Sequence, residues 1–357
     1  MQAEQNGYSD GLKEDNTYGR LDRRNIGRVV FGSYRFNTHY GNAAYFDPRQ
    51  QIRSLLGYEY ANKVSQVRDR KARKKIIQEG KFKLSFSSRE DDLWLDEIYV
   101  CQHCFKYSSN RRLLQEHKLH CKLNDKYPNI GRLVYRDDER SCFIIHVRGY
   151  QERLFCQNLC LFSKLFLDDK SVFYNIDSFD FFVVYGLDDQ KRSYFSGKYL
   201  PMGYFSKELL SWDNNNNLAC ICVFPPFQGR QLGWLMVEFL YALAKVTPGQ
   251  FESGPEFPLS TSGKSIYFKF WSRKLVPLLY MYIKKQQEFT LADLACETGF
   301  RKEDILLTLQ YMKVLVHNKQ NPDKVDLLIK TFEKWCDLNN YHHLKSLPCL
   351  NQDCLLL

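Results

Sequence analysis

The stretch NNNNLACICVFPPFQGRQLG, residues 214–233, decides the fold class of this chain. Residues 218–224 form an unbroken apolar run, and a short run of this kind bounded by turn residues predicts a buried strand. Pro225 and Pro226 end its pairing, because proline lacks the N–H that a sheet ladder requires. The apolar segment LMVEFLYALAK, residues 235–245, predicts a helix. A central strand followed by a turn and a helix is typical of an α/β core.

The turn between strand and helix, FQGRQLGW at residues 227–234, is a candidate anion site. Unpaired N–H groups and the helix dipole stabilise an anion at a helix N-terminus, and glycine lets a ligand approach the backbone. The turn matches neither the P-loop nor the dinucleotide fingerprint. On the residues alone, an anion site and a purely structural turn both remain open.

Composition and charge restrict the class of protein. The 357 residues are enough for two domains, or for one core with appendages. No apolar stretch approaches the ~18 residues of a membrane span, and the opening MQAEQNGYSDGLKEDN lacks the apolar part of a secretory signal. We therefore expect a reducing compartment, where the 12 cysteines act as ligands, nucleophiles or core residues. The net charge of +10 favours polyanionic partners.

A Cys/His module with the spacing C-x2-C-x12-H-x3-C predicts a zinc site. The four candidate ligands are Cys101, Cys104, His117 and Cys121. His103 and His120 are alternative ligands that fit the spacing less well. Four protein ligands leave no open coordination position, so we expect a structural zinc ion. Phe105, Leu113 and Leu114 are the expected small core of this finger, which is interpreted as a folding element more readily than as a DNA reader.

The segment FTLADLACETGFRKEDILLTLQYMKVLV, residues 289–316, predicts a helix-turn-helix. A short helix follows Thr290, Gly299 marks the turn, and residues 304–312 make the second helix. The last twenty residues are expected to form a loose tail. They end in CLLL, residues 354–357, which formally fits a prenylation box but matches easily by chance.

Three segments together resemble the catalytic core of the MYST-family histone acetyltransferases: GYFSKE (203–208), NLACICVFPPFQ (217–228) and GPEFPLS (254–260). The resemblance extends over roughly residues 23–316. Its other motifs are RRNIGRVVFGSYRFNTHY (23–40), EIYVCQHCFKY (97–107), FCQNLCLFSKLFLDDKSVFYNID (155–177) and SIYFKFWSR (265–273). The short N-terminus, the basic insert and the departures in the cofactor loop look most like the branch associated with transcriptional silencing.

The resemblance implies an α/β (α+β) fold: a GNAT-like acetyltransferase core between an N-terminal C2HC zinc-finger and strand region and a C-terminal winged-helix-like region. In chain order we expect a disordered N-terminus (1–24), an N-terminal region (25–130) with a basic insert (50–95) and the zinc finger (99–123), an acetyl-CoA-binding core (131–271), a helical region (272–336) and the tail (337–357). The insert is open to two interpretations, a solvated helix or loop, or a nuclear-import or nucleic-acid-contact segment.

The chemistry of acetyl transfer to lysine assigns two residues. Deprotonating a lysine ammonium near neutral pH costs about 4 kcal/mol, so a base must lie within reach of the amine. Glu256 matches the general base of the family, although on sequence alone an exposed loop glutamate is the simpler interpretation. Cys220 matches the active-site cysteine; it either accepts the acetyl group covalently or lines the site, and a buried structural cysteine is the alternative.

The acetyl-CoA site is expected on the backbone of strand and turn. The candidate cofactor-binding residues are Ile221, Cys222, Val223, Gln228, Gly229, Arg230, Gln231, Leu232, Gly233 and Ser260. The family pattern for the pyrophosphate loop is Q/R-x-x-G-x-G/A, and Gln231 occupies the position of its first glycine. Gly229 can supply flexibility two residues earlier, and Arg230 offers a cation near the phosphates. Cys222 is also interpreted as a packing residue.

The resemblance further implies a function and partners. Lys207 matches the lysine that family members acetylate on themselves, with a solvated lysine as the alternative. The expected protein is a nuclear enzyme that acetylates histone tails on nucleosomes, most of all histone H4, within a complex of accessory subunits. Non-specific DNA contact is possible, and no membrane association is expected. The alternative is a catalytically weak MYST-fold scaffold that binds chromatin or nucleic acid, which the altered position of Gln231 supports.

Overall fold

The computed structural model describes residues 20–21, 23–46, 56–57, 59, 93–167, 175–188, 198–209, 215–317, 325–341 and 349–357. The expectations for residues 1–19, and those for nearly all of the basic insert, therefore lie outside the described residues. Within the described ranges the chain is mixed α/β, which confirms the predicted fold class.

The strands are β1 Arg20–Leu21, β2 Ile26–Phe31, β3 Tyr34–Asn37, β4 Gly41–Asn42, β5 Leu95–Val100, β6 Tyr107–Ser108, β7 Arg132–Asp137, β8 Cys142–Arg148, β9 Phe179–Leu187, β10 Tyr199–Glu208, β11 Asn216–Leu218, β12 Cys220–Val223, β13 Gly254–Pro255, β14 Leu315–His317 and β15 Val325–Leu327. The helices are α1 Arg111–Leu119, α2 Arg153–Ser163, α3 Leu232–Val246, α4 Thr261–Lys285, α5 Leu291–Thr298, α6 Lys302–Met312 and α7 Ile329–Leu338.

Two larger sheets organise the strands. One has five strands in the order β12–β10–β9–β8–β7, and β8 pairs with β9 antiparallel from Cys142 opposite Gly186 to Arg148 opposite Asp180. The other has four strands in the order β3–β2–β5–β6, in which β2 and β5 are parallel. Strands β2 and β3 of this sheet pair antiparallel, from Arg28 opposite Asn37 to Phe31 opposite Tyr34.

The predicted central strand over residues 218–224 is wrong in one respect, since the run divides at Ala219 into β11 and β12. The division arises because the backbone changes partner there. The Leu218 carbonyl accepts from the Glu256 N–H at 2.9 Å, whereas the Ala219 N–H donates to the Ser206 carbonyl at 2.8 Å. As a result β11 pairs with β13, and β12 is an edge strand of the five-stranded sheet with Cys220 and Cys222 on its buried face.

The described residues group into two compact units. Unit 1 comprises Met1–Arg132, Ser141–Gly203 and Cys222–Gln228, and unit 2 comprises Leu133–Arg140, Tyr204–Ile221 and Gly229–Leu357. In unit 1 the rings of Phe31, Phe105, Phe162 and Phe224 form one buried cluster, with Phe162 and Phe224 centred 4.9 Å apart. Such aromatic clusters combine large apolar burial with specific ring geometry, so they fix the elements that carry them.

Unit 2 is built on helices α3 and α4. The buried Trp271 of α4 donates from its indole to the Tyr241 hydroxyl of α3 at 2.8 Å. Helix α4 continues past residue 271, after which the sequence predicted a domain boundary. It also contains Pro277 in its interior and ends only at Lys285. No helix in the part of the chain that is described combines the length and apolar character that crossing a bilayer requires.

The predicted helix-turn-helix is present in unit 2. Thr290 and Asp293 form a capping box at the start of α5, and Gly299, with φ of 75°, ends it in the left-handed conformation that glycine adopts without strain. Helix α6 begins two residues before the predicted second helix, at Lys302, and ends at Met312 as predicted. The antiparallel pair β14–β15 follows and forms the wing.

The expectation of a loose C-terminal tail is wrong for residues 349–357. Leu355 bridges to Tyr135 of β7, and the Leu356 N–H donates to the Val134 carbonyl at 2.9 Å. Cys349 and Leu350 are buried. The sequence did not predict this, because the apolar residues at 349–350 and 354–357 form short runs that do not specify a partner strand.

Candidate active site and zinc centre

The four predicted zinc ligands converge in unit 1. The ligand atoms of Cys101, Cys104, His117 and Cys121 all lie within 4.8 Å of one another. The Cys101 and Cys121 sulfurs are 3.9 Å apart, and the Cys104 sulfur is 3.2 Å from His117 Nε2. Three thiolates and one imidazole at these separations fit a closed tetrahedral Zn²⁺ site. His103 and His120 are not part of this group.

The finger is packed on the hydrophobic core of unit 1. Phe105, directly after the ligand Cys104, is 1% exposed, and its ring centre lies 5.8 Å from that of Phe224. Leu114 is also buried, but Leu113 is 53% exposed, so its assignment to the small core of the finger is wrong. The reason is helical geometry, since adjacent residues of α1 point in different directions and only one of them faces the core. The packing of Phe105 is what a folding role requires.

Cys220 lies at the start of β12 and is 2% exposed. The Tyr204 hydroxyl of β10 is 3.5 Å from its sulfur, and Tyr204 is itself buried. The burial of Cys220 and its contact with Tyr204 fit both interpretations, a residue that lines the site and a packing residue. Ile221 and Val223 alternate with the cysteines and are half-buried, whereas Cys222 is buried in the same direction as Cys220.

Glu256 follows β13 directly, and its side chain is exposed. Its N–H donates to the carbonyl of Leu218, two residues before Cys220, so the structure brings the two predicted catalytic segments side by side within unit 2. The partial burial that would favour a base is not found at Glu256 in this structure. An exposed carboxylate next to the cysteine-bearing segment is nevertheless accessible to an incoming lysine side chain.

A buried ion pair that the sequence did not predict fixes the backbone on both sides of Glu256. Arg301, in the turn between α5 and α6, donates to the Asp304 carboxylate at 2.9 Å and to the Pro255 carbonyl at 2.7 Å. The same guanidinium lies 5.5 Å from the ring centre of Phe257. The side chain of Asp304 is fully buried. The C-terminal helical region therefore holds the residues immediately before and after the candidate base.

Gly254 belongs to the same arrangement. A methyl group at this position would overlap the Asp304 carboxylate and the Arg301 guanidinium. Glycine is thus required by close approach of side chains to the backbone and not by a special φ angle. No sequence signal pointed to it, since Arg301 and Asp304 in FRKED resemble the exposed first turn of any helix.

The candidate cofactor loop leads into α3 with an unusual backbone. Gly229 has φ of 79° and Gln231 has φ of 61°, so two of three successive residues are left-handed. Residues 228–231 are exposed, Leu232 is buried and Gly233 is half-buried. The Gln228 side chain donates to the Val223 carbonyl at 3.3 Å. Gln231 is the residue before α3, but its side chain does not accept a hydrogen bond from the first N–H groups of the helix.

Ser260 and Lys207 have defined contacts in unit 2. The Ser260 hydroxyl accepts from the Gly263 N–H at 3.1 Å and caps α4. The Lys207 ammonium donates to the Gln250 side-chain carbonyl at 2.8 Å. This hydrogen bond counts against the alternative of a fully solvated Lys207, whereas its self-acetylation remains a prediction; Ser260 has a structural role as the cap of α4.

Comparison with known proteins identifies the family. The family model described as MOZ/SAS matches residues 128–354, well over half of the chain. The chain belongs to the MOZ/SAS family. The MYST family expected from the sequence is thereby confirmed, and the chain is an acetyltransferase.

The relatives of this MOZ/SAS protein carry one named activity. It is 36% identical to histone acetyltransferase SAS2 of Saccharomyces cerevisiae over 324 residues, which is 90% of this chain and 82% of the yeast protein. It is 36% identical to histone acetyltransferase esa-1 of Neurospora crassa over 241 residues, 67% of this chain and 45% of that protein. It is 35% identical to histone acetyltransferase MOF of Drosophila melanogaster over 248 residues, which is 66% of this chain and 28% of the fly protein. The match to SAS2 confirms the expected silencing branch, and the chain spans less than half the length of the other two proteins.

Proposed function

We propose that this MOZ/SAS protein transfers an acetyl group from acetyl-CoA to lysine side chains of histone tails, with Glu256 as the base. Each relative given above is named a histone acetyltransferase, and these names support the choice of substrate. The adjacency of the Glu256 and Cys220 segments through the Leu218 carbonyl is the structural observation that supports a single site.

Glu256 takes the proton from the attacking amine. The free energy of about 4 kcal/mol that deprotonation costs in water is lowered when a carboxylate accepts the proton during attack. The N–H of Glu256 bonded to Leu218, and Arg301 bonded to Pro255, hold the backbone from which this carboxylate projects. A substrate lysine reaches an exposed carboxylate without rearrangement of the fold.

Cys220 lines the site, and the acetyl group passes directly from the thioester to the amine. A covalent acetyl-cysteine would first require deprotonation of the thiol, and Cys220 is 2% exposed at the start of β12. The sulfur instead contacts the Tyr204 hydroxyl. Backbone N–H groups of residues 221–224 are the proposed donors to the thioester oxygen, which gains charge during attack.

Acetyl-CoA is held by the loop of residues 228–233, together with Ile221, Cys222, Val223 and Ser260. The N–H groups and the positive end of the helix dipole at the start of α3 would attract the negatively charged pyrophosphate. Gly229 offers open space for a phosphate, because a methyl group placed there would meet no atom within 4 Å. Arg230, exposed in the same loop, adds a cation.

Zinc acts structurally. Cys101, Cys104, His117 and Cys121 hold the ion and leave no position for a substrate. The ion then fixes the loop that carries Phe105 into the aromatic cluster of unit 1. Acetyl transfer does not use the metal.

The wider setting is chromatin. We propose the histone H4 tail as preferred substrate, accessory subunits as partners and the nucleus as location, as the resemblance to the silencing-associated branch implies. The net charge of +10 favours non-specific contact with nucleosomal DNA. Lys207 is the proposed self-acetylation site, where acetylation would remove a charge while an N–H donor remains for Gln250.

Labelled acetyl-CoA mixed with nucleosomes, with and without accessory subunits, tests the function. Mass spectrometry should find the label on H4 tail lysines. Label found mainly on another histone would overturn the assignment of the H4 tail as the preferred substrate. A chain that binds acetyl-CoA yet transfers nothing under either condition would instead be a scaffold, the alternative favoured by the non-glycine Gln231 in the cofactor loop.

A further inference from the structure

The C-terminal strap, residues 349–357, is anchored on β7 within unit 2. The Leu356 N–H donates to the Val134 carbonyl at 2.9 Å, and Leu355 bridges to Tyr135. The Asn351 N–H donates to the Tyr135 hydroxyl at 3.3 Å. Two backbone contacts and one hydrogen bond to a side chain, spread over six residues of the strap, hold it against this strand.

The first two residues of the strap are held more tightly. Cys349 is 7% and Leu350 is 4% exposed. The Leu350 N–H donates to the Glu238 carboxylate at 2.7 Å, and the Arg140 guanidinium donates to the Cys349 carbonyl. Glu238 is itself 7% exposed in a strongly apolar helix. A carboxylate is retained there because the strap and Lys274, 3.9 Å away, satisfy it.

The strap touches the candidate cofactor loop through one side chain. The Cys349 thiol donates to Gln231 Oε1 at 3.3 Å. Burial raises the pKa of Cys349, with the Glu238 charge adding to the shift, so the sulfur keeps its proton at neutral pH and remains a donor.

Gln231 is the residue of the loop that most needs support. Its φ of 61° is a conformation that glycine adopts freely and that side chains with a Cβ disfavour. It stands where the family pattern has glycine, and its own side chain does not cap α3. A conformation of this kind persists only where surrounding contacts determine it.

We infer that the C-terminal strap is a positioning element for the cofactor loop, with Cys349 holding Gln231 in the left-handed conformation that coenzyme A binding requires. This rests on the proposed function of residues 228–233. Cys349 contacts no reacting atom; it acts through Gln231. The strap thereby offsets the loss of the glycine that the family pattern has at this position.

A double-mutant cycle on the full-length protein tests the inference, with coenzyme A binding measured by calorimetry and acetylation kinetics measured in parallel. Cys349→Ala should raise the Kd for coenzyme A about threefold, the effect of one lost weak hydrogen bond. Cys349→Ser keeps a hydrogen-bond donor at this position, so its Kd for coenzyme A should equal that of the native chain. With Gln231→Gly as background, Cys349→Ala should change Kd by less than about 1.5-fold, since glycine needs no support. For Cys349→Ala and Cys349→Ser in the native background, the kcat should stay within about twofold of the native value.

Cys354→Ala is the matched control, because Cys354 lies in the same segment and its N–H donates to the Asn351 carbonyl within the strap. It should leave Kd unchanged. Equal effects of Cys349→Ala in both backgrounds, or an equal effect of Cys354→Ala, would overturn the inference in favour of a general stability effect. Unchanged Kd in all variants would also overturn it. Absence of coenzyme A binding by the native chain would overturn the proposed function instead.

Discussion

Removal of the Arg301 guanidinium should damage both stability and turnover. In Arg301→Ala the Asp304 carboxylate, whose side chain is fully buried, loses its charge partner, and the Pro255 carbonyl and the Asn216 side chain lose a donor. Breaking one side of a buried ion pair costs about 3–5 kcal/mol, because a buried charge is left uncompensated. We expect the free energy of unfolding to fall by that amount.

The same change should lower kcat while leaving cofactor binding intact. Arg301 contacts Pro255 and Phe257, the residues on both sides of Glu256, and its hydrogen bonds to Asp304, Asn216 and Pro255 are made outside residues 228–233. At a temperature where the variant remains folded, kcat should therefore fall at least about tenfold and the Kd for coenzyme A should stay within about twofold. Urea unfolding, histone acetylation and calorimetry measure the three quantities.

Arg136→Ala is the control. Arg136 and Asp138 are 2.8 Å apart, close to the 2.9 Å of Arg301 and Asp304, but their side chains are 49% and 71% exposed. An exposed pair contributes about 0–1 kcal/mol, so this change should be small. Joint replacement by Arg301→Met and Asp304→Leu should recover part of the lost stability, since no unpaired charge remains. A loss below about 1 kcal/mol for Arg301→Ala, or an unchanged kcat, would refute the reasoning.

Three further predictions concern the remaining residues. Gly254→Ala should destabilise unit 2 by about 1–3 kcal/mol in urea unfolding, because its methyl group overlaps the Arg301–Asp304 pair, and a stability equal to the native chain would contradict this. Elemental analysis should find zinc bound by Cys101, Cys104, His117 and Cys121, and Cys104→Ser should lose the ion and unfold unit 1, whereas the exposed Cys296→Ser should keep both. Cys220→Ala should retain kcat within about tenfold, and the native chain should show no acetyl-enzyme on rapid quench, since transfer is direct; a trapped acetyl-cysteine in the native chain would rule this out.

The sequence predicted those parts of the fold whose signals are local. The zinc ligands follow from spacing, and the start and end of α5 follow from Thr290 and Gly299, each with a local backbone reason. The division of residues 218–224 could not be predicted, because it depends on the pairing of β11 with β13, some forty residues away in the chain. Apolar periodicity does not encode the identity of a partner strand.

The missed site residues depend on long-range packing in the same way. Arg301 and Asp304 read as an exposed helix start, and only the approach of Pro255 makes them a buried pair. The strap was not predicted because its short apolar runs at residues 349–350 and 354–357 do not specify the element on which they pack. The only sequence signal for the contact between Cys349 and Gln231 was the absence of glycine at position 231. That absence indicated a need for a supporting contact, but not which residue would make it.

The pH dependence of kcat in Glu256→Gln tests the central claim most directly. The native enzyme should turn over at pH 7.5 with Glu256 accepting the proton of the substrate ammonium, whereas the variant must wait for free amine and should lose at least about a hundredfold. Its remaining rate should rise close to tenfold per pH unit between 7 and 9, because the amine is increasingly deprotonated, while its Kd for acetyl-CoA stays unchanged. A variant whose kcat at pH 7.5 lies within about twofold of the native value would show that Glu256 is not the base.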